Sequence, residues 1–583
     1  MKKLIIILAV ILIVLLLGLE GYLIYDHLQS GKPTLSETQP PQIVPAATFQ
    51  PEVIESIPAA TETVPPETDE TTAPTEETVP AVTEPPFSPA YTDSSDPANW
   101  NMEWKIISGN NIVDSYTRED PIFFEDGDYF ALPGVATFRG SNYRTDASYG
   151  TADITQGNIS QIWKMTVGYL DTIDWVGCGW TGQPLVVQWD AETRAIMNLY
   201  EDKKEKENLV EAIYAKMDGR VHFIDMEDGS YTRDPLYIGM VFKGSGAIDP
   251  RGYPILYVGA GLERGGAVQR IYAISLIDGS ILYEISGYHQ YAPRYWFAFD
   301  GAPIVDGETD TLIWGGESGL LYTIKLNTNY DKEAGTISMA PDEPVMTAYT
   351  DDYHRQGRYA GYEASVTAVG NYLFLGDNGG MLQCVDVNTM ELIWAQDIRD
   401  DINATPLFDW GKDGRGYLYV APSMDYVRGD LPLCKIDAQT GEILWSHEME
   451  CYTDPDVPGG TLASPLLGRN GTNMEDLIIF SVGRSPNLWT GQVVALHKET
   501  GEVVWQTATG NYMWSSPIAL YTEDGRGYIF QADASGTCYL MDGQTGKILN
   551  TVSLGQTVES SPVAFGNRVI LGSRSYIHLF EIS

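Results

Sequence analysis

Positive charge is the first thing this chain lacks. Lysine and arginine total 36 against 79 aspartates and glutamates, a formal net charge of −43. That balance excludes a nucleic-acid binder and an electrostatic attachment to acidic membrane surfaces, because both need a basic face. Cysteine is scarce as well: Cys178, Cys384, Cys434, Cys451 and Cys538 are an odd five, and no two are adjacent. A disulfide-stapled scaffold is excluded, and a bridge between Cys178 and Cys451 is the most that is left open. The seven histidines are scattered, with no His-Glu-x-x-His, and there is no P-loop. Asn327-x-Asn329-x-Asp331 begins like a calcium loop, but Lys332 stands where the turn needs glycine. The familiar metal and nucleotide templates are therefore missing.

What is present is a repeat. Gly441 to Trp445 reads GEILW, Gly501 to Trp505 reads GEVVW and Met390 to Trp394 reads MELIW, with variants at Gly279–Tyr283, Gly546–Asn550 and Ile159–Trp163. Trp394, Trp445, Trp505 and Asn550 are spaced by 51, 60 and 45 residues. A second landmark recurs with it, a residue before proline at the start of an apolar run: Gln183, Ala302, Thr405, Ser464, Ser516 and Ser561. Between the landmarks lie short β-branched and aromatic runs bounded by Gly, Asn and Asp, which read as strands. Four strands per repeat make a propeller blade. The expected fold is all-β, an eight-bladed propeller of four-stranded antiparallel blades. Seven blades are complete, and the eighth has only its last three strands at the C-terminus. Its outer strand is expected at Ser160–Val167, which would close the ring and remove free sheet edges.

The phrase Ile436-Asp437-Ala438-Gln439-Thr440-Gly441-Glu442-Ile443-Leu444-Trp445 resembles the pyrroloquinoline-quinone (PQQ) repeat of eight-bladed quinoprotein-like propellers. The run Thr137-Phe138-Arg139-Gly140-Ser141-Asn142-Tyr143-Arg144 is similar to the Phe-Arg-Gly-x-x-x-Arg entry common in that group. The resemblance covers roughly residues 131–583. It implies the fold but leaves two functions open, because the group includes PQQ- and calcium-dependent alcohol dehydrogenases and the non-enzymatic outer-membrane assembly factor B. The dehydrogenases hold their quinone against a disulfide of adjacent cysteines, which this chain cannot form. No cofactor is therefore expected, and PQQ and calcium stand unsupported. The chain resembles the assembly-factor type more closely.

Ahead of the repeats the sequence changes twice. Lys2 and Lys3 precede sixteen uncharged residues, Leu4–Leu19, and Gly21–Tyr25 extends the apolar run. Twenty-two residues at helical rise span roughly 33 Å, enough for a bilayer core. Residues 1–32 are thus expected to be an uncleaved single-pass anchor, with the N-terminus cytoplasmic and the remainder extracellular. Residues 33–97 contain no Lys or Arg and are rich in Pro, Thr and Glu, the composition of a disordered stalk. Residues 98–135 read as a β-rich lead-in, and 136–583 as the propeller.

The least repetitive segments are the connections from one blade to the next. Tyr169–Trp180, Tyr288–Asp300, Tyr349–Glu363 and Asn511–Trp514 are rich in aromatics and charge. On a propeller they gather on one face, where ligands bind. Trp175, Trp180, Arg294, Tyr295, Trp296, Arg358, Tyr359 and Trp514 are the expected ligand-binding candidates; no catalytic or metal residue is assigned. The expected function is a non-catalytic, monomeric binding scaffold for a protein, peptide or cell-wall glycan. The alternative is a quinoprotein-like oxidoreductase, or another enzyme, with a divergent channel site.

Overall fold

Each repeat folds into one antiparallel four-stranded sheet, and eight such sheets form the ring. The computed structural model describes residues 87–125, 129–170, 176–178, 180–262, 266–453 and 458–583. The inner strands of blades 1 to 8 are Leu185–Val187, Ala247–Ile248, Ile304–Asp306, Thr367–Val369, Leu407–Trp410, Leu466–Leu467, Ile518–Tyr521 and Val563–Phe565. Ring closure occurs as expected, one residue earlier: Ile159–Thr166 pairs antiparallel with the C-terminal strand, from Tyr576 opposite Thr166 to Ile582 opposite Ile159. The core consists of apolar layers between adjacent sheets rather than a single centre.

The Gly-x-x-x-Trp phrase turns out to be an inter-blade joint. Trp394 of blade 4 lies over Gly441 of blade 5, and Trp445 of blade 5 over Gly501 of blade 6. A Cβ on either glycine would fall 2.8 Å from the indole. Both glycines also need a positive φ, at 73° and 71°. Each indole N–H then donates to the neighbouring blade: Trp394 to Ala438 O at 3.1 Å, Trp445 to Lys498 O at 3.0 Å, Trp505 to Gly543 O at 3.2 Å. Trp163 makes the same joint across the closure, to Met226 O at 3.2 Å.

The second landmark is explained by a belt of hydrogen bonds around the bore. The backbone N–H of Ala302 donates to Ser365 Oγ, Ser365 to Thr405 Oγ1, Thr405 to Ser464 Oγ, Ser464 to Ser516 Oγ and Ser516 to Ser561 Oγ, all between 2.9 and 3.1 Å. Each hydroxyl satisfies an amide that the inner strand turns toward the next blade. The residue before proline is thus small because it packs at the axis, and usually hydroxylated because it bridges blades.

One end of the bore is closed by the Phe-Arg-Gly run. Arg139 donates to Pro465 O at 2.8 Å and to Pro517 O, reaching blades 6 and 7. Arg144 donates to Val366 O at 2.8 Å, Phe138 O at 2.8 Å, Ala302 O at 3.3 Å and Pro303 O at 3.4 Å. Both guanidiniums are fully buried without a carboxylate partner, and burial lowers the pKa of each to about 10. Backbone contacts with Ile248, Ala368, Phe408 and Ala564 carry the strap past blades 2, 4, 5 and 8.

The N-terminal region corrects one boundary. Residues 87–97 share the composition of the expected stalk, yet they pack on the ring. Phe87 stands edge-on to Tyr372, Phe408 and Trp410 at 5.4–6.1 Å, and buried Ser95 accepts from Ala395 N. One aromatic anchor, two backbone bonds (Ala90 N to Gln439 O as well as Ala395 N to Ser95 O) and the Ser95 hydroxyl donating to Thr440 O dock a segment whose average composition says otherwise. Glu103–Ser108 of the lead-in adds a strand to blade 3 beside Val345–Thr350. Short helices at Ala191–Ile196 and Glu201–Lys204 interrupt the all-β pattern in blade 1, the first capped by Asp190 accepting from Thr193 N at 2.8 Å. Among the described residues no helix is long and apolar enough to cross a membrane, and the expected anchor and most of the stalk lie outside them.

Candidate functional site

The open end of the bore is built by register. Two residues before each hydroxyl-belt position the chain passes the mouth, at Thr181, Lys243, Asp300, Glu363, Asn403, Leu462, Trp514 and Glu559 in blades 1 to 8. Blades 6 and 7 contribute apolar groups, and the rest are polar or charged. Trp180 lies across this mouth. Its indole N–H donates to Glu363 Oε1 at 3.1 Å, its amide to Glu559 Oε2 at 3.4 Å, and its ring meets Trp514 edge-on at 5.5 Å. It holds a φ of 68°, a region unfavourable for a bulky side chain and one that persists only where surrounding contacts enforce it.

Beneath Trp180 is an acidic pocket. The Lys243 ammonium contacts Asp300 and lies 4.5 Å from the Trp180 ring. Asp300, Glu317 and Glu363 bring carboxylate oxygens within 4.8 Å of one another. Asn378 donates to Asp401 at 3.0 Å and Glu363 at 3.3 Å, and accepts from Arg294 at 3.1 Å. Burial pushes Asp300 up to about 6, against the pull of Lys243, and raises Glu317 and Asp401 well above the usual carboxylate range. Burial alone would depress Lys243, but Asp300, Glu317 and Glu363 hold its pKa above the ordinary value.

The expected candidates divide. Trp180 and Trp514 meet at the mouth, although Trp514 is only 8% exposed and packs more than it presents. Arg294 stacks on Tyr359 at 4.4 Å and approaches Glu317 at 3.8 Å. Tyr295 is 84% exposed. Trp296 is half-buried. Arg358 donates to Gly379 O and Arg399 O at 2.8 and 3.0 Å and stacks on Tyr353, so it fixes its own loop. Trp175 lies outside the described residues. Lys243, Asp300, Glu317, Glu363, Asn378 and Asp401 escaped the sequence reading. Counting two residues back from the pre-proline landmark reaches Asp300, but Lys243 and Glu363 precede Ser245-Gly246 and Ser365-Val366, which lack the proline, and no pattern marked Glu317, Asn378 or Asp401.

Two other constellations are structural. Ser573 Oγ lies 2.9 Å from His578 Nε2, whose Nδ1 faces Gln161 at 3.1 Å, the order of a hydrolytic triad. Ser573 and His578 are sealed from solvent, an amide stands where a carboxylate would orient the imidazole, and burial lowers His578 to about 4. His354 lies between Asp351 and Asp377, 3.3 and 3.5 Å from their oxygens. Burial opposes its protonation, but Asp377 and Asp351 together raise its pKa. Its two contacts tie loop 349–363 to blade 4.

A family profile for the outer membrane protein assembly factor BamB matches residues 305–511 and 490–582, the PQQ repeats of blades 3 to 8. Over that stretch the chain is similar to the PQQ-repeat propellers. No curated protein matches this propeller by sequence. Among solved structures, quinohemoprotein alcohol dehydrogenase from Comamonas testosteroni is similar at 13% identity and TM-score 0.53, covering 77% of this chain and 80% of that one. Its counterpart ADHIIG from Pseudomonas putida HK5 gives 13%, 0.54, 79% and 82%. BamB from Moraxella catarrhalis gives 17%, 0.44, 73% and 98%. At these identities the likeness is one of fold.

The propeller's mouth does not fit the quinone of the dehydrogenases. PQQ carries three carboxylates, and the mouth is lined by carboxylates whose cations are already engaged: Lys243 by Asp300, Arg294 by Glu317, and Arg574 by Glu559 at 2.7 Å. All five cysteines are free thiols, none beside another, so no disulfide platform forms there and the bridge from Cys178 to Cys451 is not made.

Proposed function

We propose that this propeller is a non-catalytic binding scaffold that engages a partner protein, peptide or cell-wall glycan on its loop face. One observation carries the reading. Tyr169, Tyr288, Tyr295, Tyr359, Tyr426, Tyr452 and Trp489 are all exposed, and all lie on connections of that one face. Among the described residues the opposite face exposes Tyr200 on a blade turn and Tyr91, Phe123 and Tyr149 on the N-terminal segments packed there, with no cluster on the blade connections themselves. Rigid aromatics on loops held by a stiff ring are the composition of recognition surfaces. The apolar run at 1–25 and the acidic, proline-rich segment after it support a propeller tethered outside a cell membrane. The test is a thermal-shift screen of the full chain against exported proteins, peptides and wall fragments, followed by affinity measurements on Tyr295→Ala and Trp489→Ala. A bound ligand should raise the melting temperature, and each substitution should weaken binding by about 1–3 kcal/mol. Ligands whose affinity ignores both substitutions would overturn the loop-face assignment.

A further inference from the structure

We infer that the pocket under Trp180 is a receptor for the terminal ammonium of a lysine side chain presented by the partner, a refinement that rests on the loop-face reading. The pocket already demonstrates the fit with a group of its own: the Lys243 ammonium sits against Asp300 with the indole face of Trp180 over it at 4.5 Å. An aromatic face with a carboxylate beside it is the environment that a desolvated alkylammonium prefers.

One lysine does not fill this place. Asp300, Glu317, Glu363 and Asp401 stand against Lys243 and Arg294, four acids to two cations. Glu317 and Asp300 keep 4% and 2% of their side chains exposed, and Glu317 Oε1 and Asp300 Oδ1 accept no hydrogen bond. A buried carboxylate oxygen without a donor is costly and calls for a proton or a cation. Burial raises Asp300, Glu317 and Asp401, which favours their protonated forms, and an arriving ammonium would displace such protons.

The pocket reaches solvent at Trp180, Glu363 and Asn403, which are half-buried. Around that opening Arg294 lies on Tyr359, and exposed Tyr359 faces Tyr426 at 6.4 Å, apolar surface for the four-carbon stem of a lysine. Anionic ligands are repelled. A divalent ion placed among Asp300, Glu317 and Glu363 would gain nothing from the rings.

The experiment titrates the full-length protein calorimetrically with an end-blocked Ser-Gly-Lys-Gly-Ser peptide, the same peptide carrying Nε-acetyl-lysine, and calcium chloride, in two buffers of different ionisation heat. The lysine peptide should bind about tenfold or more tightly than its acetylated form and release protons near pH 6. Glu363→Gln, at a half-buried position that leaves the blade cores untouched, should cost about tenfold for the lysine peptide only. Equal binding of the two peptides, or no binding by protein that melts normally, overturns the proposal. Calcium binding that Glu363→Gln abolishes, without peptide binding, replaces it with a metal site. If ligands from the thermal-shift screen depend on Tyr295 and Trp489 but not on Glu363, the loop face stands and only the ammonium pocket falls. If they depend on none of the three, both readings fall.

Discussion

The two ends of the bore hold buried charge in opposite ways. At one end Arg139 and Arg144 are sealed, and their guanidiniums donate to backbone carbonyls of blades 3, 4, 6 and 7. At the other, four carboxylates crowd two cations, and oxygens of Asp300 and Glu317 are left without donors. The first arrangement joins blades and leaves nothing for a ligand to complete. The second is unfinished, held beneath a tryptophan in a strained backbone conformation. Saturated buried charge serves the fold, whereas unsaturated buried charge at a mouth ringed by aromatics points to recognition.

The comparison can be broken from the structural side first. Deleting Ile159–Thr166 should have the largest effect, since it strips blade 8 to three strands and exposes the edge of the C-terminal strand. Insoluble or aggregated protein is expected, and a soluble monomer with an unchanged melting temperature would show that closure is dispensable. Arg144→Met should cost about 3–5 kcal/mol, because several buried carbonyls lose their donor at once. Urea denaturation measures it. A loss below about 1 kcal/mol would mean that the strap does not join the blades.

His578 sharpens the contrast, being a buried ionisable group near the loop face that is satisfied while neutral. Its folded pKa of about 4 lies below the ordinary value of 6.5. The unfolded chain therefore binds the extra proton, and stability is full above about pH 6.5 and falls as pH drops toward 4. The loss is at most ~3 kcal/mol. Melting temperatures between pH 7 and 4.5 should fall less steeply in His578→Gln, and parallel curves would remove His578 from the account.

The smallest expected effects divide the aromatic candidates. Trp514→Ala should lower stability by about 2–3 kcal/mol, since that ring is nearly buried against Trp180. Tyr295→Ala should stay within about ±0.5 kcal/mol, because its ring is 84% exposed. Calorimetry on both variants checks this. A destabilised Tyr295→Ala would make that loop a packed lid.

Much of the architecture was legible because blade packing is local and repeated. Gly441 and Trp445 recur since blades 5 and 6 each receive one indole and deliver another, so a spatial joint is written as a period. The pre-proline hydroxyls recur for the same reason. The short helices of blade 1 and the docking of Phe87 were not legible, since each occurs once and only tertiary contacts maintain it. Sequence alone determined the all-β repeat class, the blade count, the closing strand and the loop face, all consequences of periodicity and of the need to pair every edge. The tertiary structure decided that the arginines of the Phe-Arg-Gly run join the blades, that Arg358 fixes its own loop, and that Lys243, Asp300, Glu317 and Glu363 share one pocket. Those four residues lie on three blades up to 120 positions apart. Only closing the ring brings them together, and burial, which no single sequence displays, gives their charges meaning.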